Sequence, residues 1–181
     1  TFDSQSMVMD RWAEGLLQTL VELGPKLVER HDRYDEVANF MLTATMALNG
    51  FIAMGVPQDW ATHMIGHELT ALHGLDHGVT LAIVYPGMMR VMRAEKFDKL
   101  VQYAERVWGA TGTPEQKAEA AVAKTEEFFR GLGVKTRLSE HGIGEETIDF
   151  IVDRFRQRGW TLGERRLVTP ERVAEILRDR L

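Results

Sequence analysis

Apolar residues recur every three or four positions along most of this 181-residue chain, the period of a helix with one face turned inward. Val8, Trp12, Leu16, Leu20 and Leu23 form the first stripe, with Trp12 read as core, Asp3 or Ser4 as the cap and Gly24-Pro25 as the end. Residues 26 to 30 make a short helical turn. From about 35 to 54, Val37, Phe40, Met41, Ala44, Leu48, Phe51 and Ile52 define a long, nearly uncharged helix expected to be buried on several sides. Pro57 opens the next helix, as proline can at a first turn. Residues 79 to 91 are almost wholly apolar and continue a helix through Pro86, and residues 97 to 108 form an amphipathic one. Thr113-Pro114-Glu115 and Thr169-Pro170-Glu171 start two more, with threonine as cap and proline at the first position. Between them Gly131-Leu132-Gly133 closes a helix, residues 139 to 144 turn, and residues 145 to 158 are helical again. No strand is predicted. The fold class is therefore all-α, a bundle of about seven to nine helices forming a single domain over residues 1–181.

One stretch breaks this uniformity. Four of the six histidines, His63, His67, His73 and His77, fall within fifteen residues. Imidazole is the commonest side-chain metal ligand and the usual proton shuttle near neutral pH. His63 and His67 are four apart, as are His73 and His77, so either pair lies on one face of a helix and could bind one ion. His63 and His77 are too far apart on a continuous helix, roughly 21 Å, because two nitrogens on one zinc-like ion lie within about 4 Å of each other. They can share an ion only if the helix ends between them. Gly74 stands where a left-handed C-terminal residue is expected, and Asp76 can cap a new helix beginning near His77. A zinc-protease reading is rejected, since His67-Glu68-Leu69-Thr70-Ala71 lacks the second histidine of His-Glu-x-x-His.

Trp60 through Thr80, with Gly66-His67, Thr70-Ala71, Leu75 and His77-Gly78, resembles the signature of the iron-containing alcohol dehydrogenases. Leu48-Asn49-Gly50, Val56-Pro57-Gln58-Asp59-Trp60 and residues 102 to 108 resemble the butanol dehydrogenase and aldehyde reductase branch, which prefers NADPH. The resemblance covers essentially the whole chain. It implies that His63 and His77 are two of four ligands to a divalent metal, Fe2+ or Zn2+, and that His67 stands beside the metal near the nicotinamide, in a catalytic and cofactor-binding role. It also implies a Rossmann-like N-terminal domain, with an aspartate and a histidine four residues later completing the metal site. By this alignment those parts lie upstream of Thr1, and the only Asp-x-x-x-His in the chain, Asp59 to His63, already belongs to the signature. The chain then reads as the metal-binding C-terminal domain of a two-domain enzyme, cut within its first helices. The whole enzyme would be an NAD(P)-dependent oxidoreductase moving hydride between nicotinamide and a metal-bound alcohol or aldehyde, with the fragment alone inactive. A second reading is a non-catalytic helical metal-binding or oligomerisation module.

Composition narrows the partners. A net charge of −5, with no Lys/Arg cluster beyond local pairs such as Arg165-Arg166, argues against nucleic acid. Zero cysteines exclude a disulfide framework and any thiolate ligand, and fit a cytoplasmic location. No run of about eighteen apolar residues suggests a membrane span. A homodimer is expected. His31 and His141 read as capping, surface or turn residues, and Gly131-Leu132-Gly133 follows a helix, which excludes a phosphate loop.

Overall fold

A computed structural model describes residues 6–181, and among them are eight α-helices, one isolated bridge between Leu162 and Val168, and no sheet. The all-α expectation and the helix number hold. The helices are α1 (Met7–Glu29), α2 (Tyr34–Leu48), α3 (Ala61–His73), α4 (His77–Val91), α5 (Phe97–Arg106), α6 (Pro114–Gly131), α7 (Glu145–Gln157) and α8 (Pro170–Arg178). None of them is long and apolar enough to cross a membrane. The chain divides into two compact units, residues 1–57 with 97–124 and residues 58–96 with 125–181.

The first unit holds α1, α2, α5 and most of α6. The proposed caps Asp3 and Ser4 lie outside the described residues. Gly24-Pro25 does not end the first helix, because α1 runs on to Glu29 with Pro25 inside it. Proline's fixed φ is itself helical, so it deletes one backbone bond while its neighbours keep theirs. Trp12 is not core. It is 47% exposed and meets Phe51 edge-on at 4.9 Å between ring centroids. The second predicted helix also comes out shorter and barer: α2 stops at Leu48, Gly50 turns left-handed at φ 87°, and residues 51–53 form a 3-10 turn. A helix apolar around most of its girth needs neighbours on most sides. Here α1 packs against one, leaving Met41, Leu42 and Leu48 more than half exposed. Ion pairs tie α1 to α5, with Lys99 on Asp10 at 2.7 Å and Arg106 on Glu14 at 2.9 Å. At the start of α6 the Gln116 amide N–H reaches Thr113 Oγ1 and the Thr113 N–H reaches Gln116 Oε1, a reciprocal cap.

The second unit holds α3, α4, α7, α8 and the end of α6 around one apolar core. Ile65 and Leu69 of α3, Ile83 and Met88 of α4, Ile148, Ile151 and Phe155 of α7, and Val173, Ile176 and Leu177 of α8 are buried there. On α3, α7 and α8 these positions recur at three and four residues, as the sequence period requires, while α4 is buried more broadly. Two close approaches depend on missing side chains. A Cβ on Gly66 would lie 2.9 Å from Thr80 Oγ1 of α4, and one on Gly87 would lie 2.8 Å from the Ile176 carbonyl of α8. The α4 helix runs through Pro86, as predicted.

The C-terminal end of this unit closes on a buried charge. Arg180 is fully buried, donates from Nη2 to the Thr136 carbonyl at 2.9 Å and pairs with Glu126. Burial works to raise the Glu126 carboxyl, but hydrogen bonds from Arg180 and Thr136 and the charges of Arg180 and Arg137 hold it below its usual value. A carboxylate with a depressed folded pKa contributes stability above its unfolded value, and the contribution is lost as pH falls through the folded one. Losing Glu126 leaves the buried guanidinium with Asp179, 3.3 Å away, and the Thr136 carbonyl, so Glu126→Gln is expected to cost about 2 kcal/mol by urea unfolding at neutral pH. The variant should also lose part of the acid destabilisation that wild type develops below about pH 4.5.

Candidate metal centre

The histidine stretch folds as a helix, a corner and a second helix, all within the second unit. The first of these, α3, begins at Ala61 rather than at Pro57, because Asp59 Oδ1 accepts the Ala61 N–H at 2.8 Å and sets the start there. It ends at Gly74, whose φ of 67° and ψ of 17° are left-handed and whose N–H bonds to the Thr70 carbonyl. A Cβ at Gly74 would meet nothing within 4 Å, so the demand for glycine is purely conformational. Asp76 occupies the N-cap of α4 without a side-chain cap hydrogen bond, and His77 is the first residue of that helix.

The corner brings three imidazoles together. Ring centroids are 5.3 Å apart for His63 and His77, 4.8 Å for His67 and His77, and 6.5 Å for His63 and His67. Rings that share a tetrahedral ion through nitrogens about 2 Å from it have centroids roughly 5 Å apart, and roughly 6.4 Å at most when they face each other across it. Both pairs that include His77 fall in the tetrahedral range. The His63/His67 pair, which four-residue spacing favours, lies just beyond that limit. Burial, followed by the neighbouring His77 and His67, lowers the His63 pKa, and the neutral form this favours is the one a metal ligand needs. Among the described residues no three or more His, Cys, Asp or Glu side chains are arranged to hold an ion together. The donors present fit part of a divalent metal's ligand set.

The other singled-out residues are placed elsewhere. His73 turns to α7, with Nε2 3.1 Å from Thr147 Oγ1. Glu68 is buried and engaged by Arg158 at 2.6 Å and Arg154 at 3.2 Å, which accounts for a glutamate beside His67 without any role as a base. His141 is a turn residue near the Lys135 carbonyl, and His31 is exposed between α1 and α2. Two features escaped the sequence reading. Trp60 stands edge-on to His63 with centroids 4.9 Å apart. Lys96, directly before α5, donates to Asp59 Oδ2 at 2.7 Å and lies 3.8 Å from Glu164 Oε2. No local pattern marks an ion pair across 37 residues, although Asp59 before an apolar helix start does suggest a cap.

The Fe-containing alcohol dehydrogenase family, C-terminal, matches residues 2–181. The chain belongs to this family. It is 51% identical over 164 residues to the NADPH-dependent aldehyde reductase YqhD of Escherichia coli (strain K12), covering 90% of this chain and 42% of that protein. It is 33% identical over 175 residues to the NADH-dependent butanol dehydrogenase A of Clostridium acetobutylicum, covering 94% of this chain and 45% of that one. The substrate and cofactor-free form of the E. coli aldehyde reductase YqhD superposes with a TM-score of 0.94 at 46% identity, over 98% of this chain and 47% of that chain. The chain thus spans a little under half the length of the relatives it matches.

Asp59 feels a burial penalty first, and the charge and hydrogen bond of Lys96, then the Ala61 N–H, overcome it and lower its pKa. Its contribution to stability is present above its ordinary carboxylate range and fades as pH falls below it. Lys96→Met should therefore raise the Asp59 pKa, measurable by following its carboxyl 13C shift against pH. A Gly74→Ala variant should lose about 1–2 kcal/mol in urea unfolding from the left-handed backbone alone.

Proposed function

We propose that this chain is the metal-binding half of an NAD(P)-dependent alcohol dehydrogenase or aldehyde reductase. The observation that carries the reading is the approach of His63 and His77 across the Gly74 corner, 5.3 Å between centroids, in a chain of the Fe-containing alcohol dehydrogenase family. His63 and His77 hold a divalent cation, Fe2+ or Zn2+, whose remaining ligands come from a nucleotide-binding domain that supplies the rest of the enzyme. When bound, the ion acts as a Lewis acid on the substrate oxygen, while NADP(H) carries the hydride. The 51% identity to an NADPH-dependent relative favours NADP(H) over NAD(H). On this reading His67, exposed and with its ring centroid 4.8 Å from that of His77, holds or passes the proton of the substrate oxygen and lines the nicotinamide. Residues 1–181 act as one such domain, inactive by themselves, in a cytoplasmic homodimer whose substrate is a small alcohol or aldehyde and which binds neither nucleic acid nor membrane.

The test is in the full-length enzyme. His63→Ala and His77→Ala should each strip the metal, read by elemental analysis, and lower NADPH-dependent butanal reduction by about a hundredfold or more. His31→Ala should change neither. Normal metal content in both variants would overturn the assignment. Residues 1–181 alone should show no reduction of butanal in the same spectrophotometric assay, and turnover by the isolated chain would show that the second domain is dispensable.

A further inference from the structure

The residue at the N-cap of α3 is of the wrong kind for its place. N-caps favour Ser, Thr, Asp and Asn, whose short side chains accept a backbone N–H. Trp60 occupies this one with φ −103° and ψ 8° and makes no cap bond, and the preceding Asp59 does that work from Oδ1. An indole here contributes nothing to starting the helix. Nor is it a core residue, since it is 45% exposed while the adjacent Ala61 is fully buried.

Its orientation is nevertheless fixed at two points. The indole Nε1–H donates to Gln58 Oε1 at 3.2 Å, which satisfies its polar atom, and the ring meets His63 at 67° between planes with centroids 4.9 Å apart. A half-exposed aromatic standing against an imidazole is an apolar wall beside a polar cluster. Small-molecule sites are built in this way, with apolar walls around a few convergent polar groups.

We propose that Trp60 is a specificity-determining residue that packs against the carbon chain of the alcohol or aldehyde whose oxygen is directed at the His63/His77 pair. The inference rests on the dehydrogenase reading above and adds which part of the substrate this chain recognises, its apolar carbon tail. The wall accepts methylenes without hydrogen bonding them, so it rewards chain length and does not discriminate oxidation state. Such a pocket separates neighbouring homologues only modestly, about tenfold or somewhat more per methylene at best.

The experiment uses the full-length enzyme and its Trp60→Ala and Trp60→Phe variants. Calorimetric titration with ethanol, 1-butanol and 1-hexanol in the presence of NADP+ reads binding without turnover, and kcat/KM is measured for acetaldehyde, butanal and hexanal. In wild type both affinity and kcat/KM should rise with chain length. Trp60→Ala should flatten the rise, losing about tenfold for the six-carbon ligands through KM and less than about twofold for the two-carbon ones, with metal content unchanged. Trp60→Phe should retain most of the rise. An equal loss at every chain length in Trp60→Ala, or a change confined to the KM of NADPH, would place the indole against the nicotinamide or in a purely structural role and overturn the proposal. A wild-type enzyme that binds metal but reduces no aldehyde would instead refute the dehydrogenase reading, which separates the two failures.

Discussion

A single backbone angle governs the geometry of the histidine cluster. Gly74 adopts a left-handed conformation that lets α3 stop and α4 start three residues later, so that two side chains fourteen residues apart come to lie ring beside ring. An L-residue with a side chain resists that angle, and an unbroken helix would carry His77 about 20 Å from His63. Once the corner is set, the bare surface of Gly66 lets α3 approach Thr80 of α4, and the two helices share the core of the second unit through Ile65, Leu69, Ile83 and Met88.

Buried charges fix the ends of these helices. Glu68 of α3 is paired with Arg154 of α7 and with Arg158 just after it, Lys96 directly before α5 reaches Asp59 before α3, and Arg180 after α8 holds Glu126 of α6. Replacing such pairs with apolar residues is often neutral or stabilising, so their worth here lies in orientation as much as in energy. Asp59 illustrates this: one oxygen sets the first residue of α3 while the other is bound to Lys96, so the register of His63 is tied to the chain beyond α4.

Much of this was legible in the residues themselves. Thr113-Pro114 and Thr169-Pro170 begin helices as their chemistry dictates, and the glycine after His73 marks the corner. What failed were inferences that needed knowledge of neighbours. An apolar stripe predicts burial only if another element covers it, and Trp12, Met41 and Leu48 show the period of a core without its cover. Gly24-Pro25 predicts a helix end, yet proline's φ suits a helix and the loss of one bond does not end α1. At the cluster, spacing favoured His63 with His67, whereas the closer ring pairs both include His77, because the corner overrides proximity along one helix.

His77 opens α4, and that position has an electrostatic consequence. Aligned peptide dipoles give the N-terminal end of a helix roughly half a unit of positive charge. The first turn inside α4 carries no acidic side chain, but Asp76 stands at its N-cap, where a carboxylate offsets part of that charge. A dication held by His77, as proposed, would meet the helix's partial positive charge and the Asp76 carboxylate together. On the proposed reading, affinity for the ion would rise with each further anionic oxygen brought to the cluster, so it gauges how complete the site is.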